Sequence, residues 1–138
     1  LDFIIVDMPP GTGDTQLTFS QEIKMDGAII ISTPQEVALL DVKRGIKMFD
    51  KLGVKILGLV DNMSYFTGDD GKKYKIFGEG GVKRTAEEFG KEFLGEIPLN
   101  PEVGKCGDEG KPIVEANPEH EISKIYLNFA NKIKLMYL

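Results

Sequence analysis

Short apolar runs alternate with amphipathic stretches along the chain, and this alternation predicts most of its elements. Phe3 to Asp7 (FIIVD) is a continuous apolar run ending in an acid, the pattern of a strand covered on both faces. Met8-Pro9-Pro10-Gly11-Thr12-Gly13-Asp14 is dense in turn residues. Asp14 is placed to cap a helix over about 15–24, with Leu17 and Ile23 inward. Ala28 to Ser32 (AIIIS) is a second buried-strand pattern. Thr33-Pro34 stops it and opens a helix over about 36–51, with Val37, Leu40, Ile46 and Phe49 as its apolar stripe and Gly53 as its end. Lys55 to Asp61 (KILGLVD) is a third strand.

Residues 62–81 form a Gly-rich polar stretch, predicted to be a loop too long for a simple connector. A short helix from Lys83 to Phe89, closed by Gly90, leads to a fourth strand, Phe93 to Ile97, which Pro98 stops. Residues 98–118 are rich in proline and glycine and are predicted irregular. A last helix over about 119–136 carries Ile122, Ile125, Tyr126, Phe129 and Ile133 at helical spacing. Strands alternating with amphipathic helices predict an α/β layered fold with a mainly parallel sheet, without internal repeat or linker. The chain opens on Leu1 and enters directly on a buried-strand pattern. The expectation is therefore that an upstream segment belongs to the same fold.

Composition narrows the functional classes. A chain of 138 residues with 41% hydrophobic and 28% charged residues has a globular balance, which excludes a largely disordered or collagen-like protein. No apolar run approaches the ~20 residues needed to span a bilayer, and Leu1 to Asp7 lacks the basic stretch of a signal peptide. A net charge of −5, with 17 scattered Lys and Arg, argues against a nucleic-acid partner. Cys106 is the single cysteine, so no disulfide or C-x-x-C clip forms within the chain, and the single His120 excludes a histidine metal cluster. A cytoplasmic, reducing location is expected.

Several positions carry candidate chemistry. Asp7 ends a strand where parallel sheets bind ligands, and an acid there orients Mg²⁺ or its water shell in nucleotide hydrolases. The Pro-Gly-x-Gly turn after it lets backbone N–H groups approach a γ-phosphate. Equally, Asp7 is the acid of an ordinary turn. None of the Gly-Lys pairs at Gly71, Gly90, Gly104 and Gly110 is followed by Ser or Thr, so no G-x-x-x-x-G-K-[ST] cradle is present in these residues. Asn62 offers an amide donor and acceptor to an adenine edge, or closes an Asx turn. Asp41 and Lys43 face a partner subunit or solvent. Phe77-Gly78-Glu79-Gly80-Gly81 is an anion site at a helix start or a flexible loop, the latter favoured. Cys106 is read as a small thiol rather than a metal ligand. The last helix has Lys124, Lys132 and Lys134 opposite its apolar stripe, but Glu119 and Glu121 dilute them, so it is expected to dock on the sheet rather than on a membrane.

Taken together, DMPPGTGD (7–14), STPQEVALLDVKRGIKMF (32–49), NMSYF (62–66), IFGEGG (76–81), LGEIPLNPEV (94–103) and GDEGKPIV (107–114) resemble the Mrp/ApbC family of P-loop ATPases, which carry and assemble iron–sulfur clusters. The resemblance implies a P-loop NTPase-like fold of the SIMIBI, MinD/ParA type. Its three-layer parallel sheet would here be incomplete for want of the P-loop strand. Residues 1–138 would then be the C-terminal portion of a single nucleotide-binding domain. It implies that Asp7 is the catalytic Walker B acid at the Mg²⁺ site, acting through water, and that Pro10, Gly11 and Thr12 form the switch-like turn beside the γ-phosphate of ATP. Asn62 would contact adenine with Pro98 nearby, and Asp41 would lie near a nucleotide-dependent homodimer interface. Iron–sulfur recipient apoproteins would be the partners.

Two departures from the family pattern accompany these matches. The family's K-G-G-V-G-K-[ST] loop, whose strand sits between the Asp7 and Ala28 strands, is not among these residues, so the chain alone is expected not to hydrolyse ATP. Between NMSYF and IFG most relatives carry C-P-x-C, whose thiolates bridge a [4Fe–4S] cluster. Here Thr67 to Lys75 holds no cysteine, and Asp69 or Asp70 would be poor substitutes.

Overall fold

A computed structural model describes residues 1–138. In chain order its elements are α1 (Asp14–Glu22), β1 (Ala28–Ser32), α2 (Glu36–Leu52), β2 (Ile56–Asn62), β3 (Phe66–Thr67), β4 (Lys73–Tyr74), α3 (Gly81–Glu88), β5 (Phe93–Ile97), α4 (Pro101–Asp108), α5 (Ile113–Ala116) and α6 (Glu121–Tyr137). β1, β2 and β5 lie parallel in that spatial order, and β3 and β4 make a small antiparallel hairpin.

The layers follow from the apolar pattern. β2 is buried along nearly its whole length, as a continuous apolar run requires in the centre of a parallel sheet. One face packs against α2 and α3 through Leu39, Val42, Ile46, Phe49, Val82 and Ala86. The other packs against α4, α5 and α6 through Val60, Leu94, Ile97, Cys106, Ile113 and Ile122. α2 ends at Gly53, whose φ of 69° places it in the left-handed conformation that glycine adopts without strain. Pro101 and the Asn100 side chain, which accepts from the Glu102 N–H, start α4. His120 Nδ1 accepts from the Ile122 N–H and starts α6. No helix is long and apolar enough to cross a membrane.

Several expectations are corrected. Residues 3–7 form no strand: Phe3, Ile4, Ile5 and Val6 are exposed and lie outside both sheets. A strand persists only where its N–H and C=O groups find a ladder, and within this chain the outer edge of β1 is left open rather than paired with them. Phe3 instead meets Tyr137 edge to face, with ring centroids 6.4 Å apart. Asp14 is the first residue of α1, not its cap; Gly13 holds the cap position. Ile23, expected inward, is exposed, because α1 ends before it. On α2 the buried stripe is Leu39, Val42, Ile46 and Phe49, while Val37 and Leu40 face outward. The stripe is rotated because the helix must cover β1 and α3 together. The loop over 62–81 contains the β3–β4 hairpin, and the irregular stretch over 98–118 contains α4 and α5. On α6 Tyr126 is exposed, so the inward set is narrower than the periodicity suggests.

Candidate functional site

The carboxyl ends of the three parallel strands are where such sheets bind ligands. They present Thr33-Pro34-Gln35 after β1, Asn62 as the last residue of β2 with Met63 after it, and Pro98 after β5. Beyond the β2–β5 ladder the two following loops stay joined. The Ser64 N–H donates to Ile97 O at 3.1 Å, Ser64 Oγ donates to the same oxygen at 3.4 Å, and the Leu99 N–H donates to Tyr65 O at 2.7 Å. Asn62 is in register with Ile97, so this seam brings half-buried Asn62 beside buried Pro98. Met63 has φ of 53°, the one non-glycine residue in the left-handed region, and such conformations concentrate at functional turns.

The other predicted residues lie elsewhere. Asp7 and Pro10 are exposed, Thr12 is half-buried, and Gly11 has φ of 96°. This turn is held by a residue the sequence reading passed over. The buried Gln16 side-chain amide donates to Pro9 O and to Pro10 O. Asp41 is exposed and pairs with Arg44 at 3.0 Å, while Lys43 pairs with Glu88 at 3.1 Å. Both contacts are those of a solvated helix face. The structure thus brings Asn62 and Pro98 together but does not gather Asp7 or Asp41 to them.

The glycine-rich stretch before α3 is neither a loose loop nor an open cradle. A Cβ at Gly78 would lie 3.2 Å from Pro34 O, and one at Gly81 would lie 2.9 Å from it. These glycines let the loop close directly onto the turn after β1. Level with Ser32, just before that turn, stands Asp61, which the sequence marks only as a strand end. Asp61 is 1% exposed and stands in register between Ser32 and Glu96, and its Oδ1 has no hydrogen-bond partner. Burial, then the neighbouring Glu96 charge, push its carboxyl up to about 6, with Lys75 pulling the other way. Its only sequence signal is an acid in the last turn of an otherwise apolar strand.

The residues present fit a nucleotide base better than they fit metals. Asn62 supplies a planar donor–acceptor edge and Pro98 an apolar wall. Asp7 is a single carboxylate without neighbouring ligands, and no group of three His, Cys, Asp or Glu side chains is placed to hold a metal. An iron–sulfur cluster does not fit these residues. The β3–β4 hairpin holds no thiol; its Asp70 accepts from Tyr74 Oη at 2.6 Å and from the Lys72 N–H at 2.9 Å. Cys106, on α4, is buried in the core.

A family model described as the NUBPL iron-transfer P-loop NTPase of the ParA group matches residues 1–134. The iron-sulfur cluster carrier protein of Aquifex aeolicus is 45% identical over 131 residues, covering 94% of this chain and 36% of the relative. The iron-sulfur protein required for NADH dehydrogenase, mitochondrial, of Arabidopsis thaliana is 49% identical over 134 residues, covering 96% and 43%. The chain therefore spans well under half the length of these relatives. Among solved structures, the nucleotide-binding protein of Archaeoglobus fulgidus in complex with ADP is 40% identical with a TM-score of 0.72, covering 80% of this chain and 46% of that one. The cell division ATPase MinD of Pyrococcus furiosus shares the fold, with a TM-score of 0.62 at 22% identity over 80% of this chain and 43% of that one. With a MinD/ParA-type fold, these sequence matches and the motif order of the Mrp/ApbC proteins, the chain belongs to the NUBPL iron-transfer P-loop NTPase family.

Proposed function

We propose that this chain supplies the base-binding side of the nucleotide site in an iron–sulfur cluster carrier ATPase. In this reading residues 1–138 are the C-terminal portion of that carrier's nucleotide-binding domain. The observation that carries the reading is the seam joining residues 64–65 to 97–99, which sets Asn62 beside Pro98 at the strand ends. The ADP complex of the 40% identical Archaeoglobus protein supports a nucleotide there. In this reading Asn62 hydrogen-bonds the adenine edge and Pro98 covers its face. The phosphates are held by a P-loop strand added at the open edge of β1, between it and residues 3–7. That strand lets Phe3 to Asp7 take ladder bonds and sets Asp7 at the phosphate end, where Mg²⁺ would offset phosphate charge through bound water. Pro10, Gly11 and Thr12, braced by Gln16, then report on the γ-phosphate, and Asp41 lies toward a second copy in a homodimer. The carrier works in the cytoplasm, and its cargo is delivered to apoproteins.

The cargo ligands come from outside these residues, since the hairpin lacks thiols and Cys106 is buried in the core. The same observation favours a second reading, a non-catalytic interaction module without ATPase or cluster binding. Calorimetric titration with ADP separates the two. The first reading expects binding when a polypeptide bearing the K-G-G-V-G-K-[ST] loop is added, weakened about tenfold by Asn62→Ala, the equivalent of about 1.4 kcal/mol. No heat of binding under either condition would leave the interaction module.

A further inference from the structure

An irregularity in β5 sets two carboxyl groups side by side on one face of the sheet. Ile30, Leu59 and Phe93 pack into the core against α2 and α3. Ser32 and Asp61 stand two residues further along β1 and β2, so they leave that same face. On β5 the register then shifts: Leu59 opposes Phe93, but Val60 opposes Gly95. Gly95 takes up the extra residue. Its φ of 141° favours glycine, and a Cβ there would lie 3.0 Å from Phe129 on the opposite face. Glu96 is thereby delivered to the Asp61 side as its register partner, with the two backbones about 4.8 Å apart. Such irregularities re-aim a side chain, and this one aims a carboxylate at a carboxylate.

Like charges directly opposite each other in a sheet are destabilising unless a cation joins them. No side chain of the protein does so. Asp61 is buried with its Oδ1 unpartnered, and no Lys or Arg lies within 4.0 Å of either carboxylate. The cations of the neighbouring elements are held elsewhere, Lys75 by Glu79 at 2.8 Å, Lys43 by Glu88 at 3.1 Å and Arg84 by Glu36 at 3.8 Å. Ser32 Oγ, on the other flank of Asp61, donates to Thr33 O and keeps its lone pairs free to accept from a bound water. We propose that Asp61 and Glu96 together hold one hard divalent cation. Donors that are all oxygen suit Mg²⁺, Ca²⁺ or Mn²⁺, and the two carboxylates balance the double charge. The buried Asp61 Oδ1 is the inner ligand, while the exposed Glu96 faces solvent, where water completes the shell. The cation would tie β5 to β2 one residue before Asn62 and two before Pro98. It is a different site from Asp7 and needs no nucleotide.

The test titrates the full chain, without nucleotide, with Mn²⁺ up to about 1 mM and follows the paramagnetic broadening of its amide signals. Calorimetric titrations with Mg²⁺ and Ca²⁺ run beside it. The expected result is one saturable site, with broadening centred on residues 60–62 and 95–97. Asp61→Asn should abolish it, and Glu96→Gln, at an exposed position, should weaken it about tenfold or more. Asp70→Asn, in the hairpin, should leave it unchanged. Absence of saturable binding overturns the proposal, as does broadening centred on Asp7, Asp69 or Asp70. So does binding that persists at full strength in Glu96→Gln. Should Asp61→Asn fail to fold, the position of the broadening and Glu96→Gln decide between the same outcomes.

Discussion

Asp61 makes a stability prediction whose sign is opposite to that of most carboxylates. Its ordinary value of 3.8 is raised to about 6 on folding, so the folded state binds the proton more tightly than the unfolded chain. Its contribution is neutral at pH below 3.8, grows less favourable between 3.8 and about 6, and is fully unfavourable above. At about 1.4 kcal/mol per tenfold change this amounts to about 3 kcal/mol. Asp61→Asn should therefore raise stability by roughly 1–3 kcal/mol at pH about 7.5 and by nothing at pH about 3.5, measured by urea unfolding at both. Met63 gives a second test at this scale. Its φ of 53° is tolerable for an unbranched side chain but costly for a branched one, so Met63→Val should cost about 1–2 kcal/mol where Met63→Gly costs little. Neither residue was legible in sequence. Asp61 is buried in β2 between the flanking strands β1 and β5, which only the fold brings together, and a backbone angle leaves no mark on composition. Asn62 and Pro98 were legible as strand ends, because each sits where an apolar run stops.

At the scale of elements, the helices and central strands follow from periodicity, since β2 and the buried stripe of α6 have few other ways to leave water. α2 was legible as a helix but not in its orientation. Val37 and Leu40 fit the same period as Leu39 and Val42, and only the position of α3 decides which pair is covered. The short elements inside 62–81 and 98–118 were hidden by their glycines and prolines, which here cap turns rather than break structure. Two glycines separate these roles by experiment. Gly81→Ala would push a Cβ to 2.6 Å from Leu39 Cδ1 and 2.9 Å from Pro34 O; the leucine can yield, the carbonyl cannot. It should cost about 1–3 kcal/mol in thermal unfolding. Gly45→Ala, within α2 and with nothing within 4 Å, should instead stabilise by about 0.5–1 kcal/mol.

At the scale of the molecule, the sheet has one edge that asks for company. β1 presents unpaired backbone groups with Ile29 and Ile31 exposed, and open, apolar edges pair with whatever strand they meet. The chain by itself should self-associate with rising concentration, and Ile31→Lys should suppress this in sedimentation velocity with less than about 0.5 kcal/mol change in stability. The α/β class and the parallel sheet were legible from alternation alone. An open edge beside the Ala28 strand was expected from the resemblance; that residues 3–7 form no strand was not legible, because FIIVD carries a strand's composition without a strand's neighbour.

The seam between residues 64–65 and 97–99 also sets how a signal would be reported from the site. Two loops tied by three hydrogen bonds cannot respond separately. They form one lever, pivoting on β2 and β5 together. A fluorophore on Asn100, at the start of α4, would therefore read an event at Asn62 without touching it, and a single kinetic phase would be the mark of that shared lever.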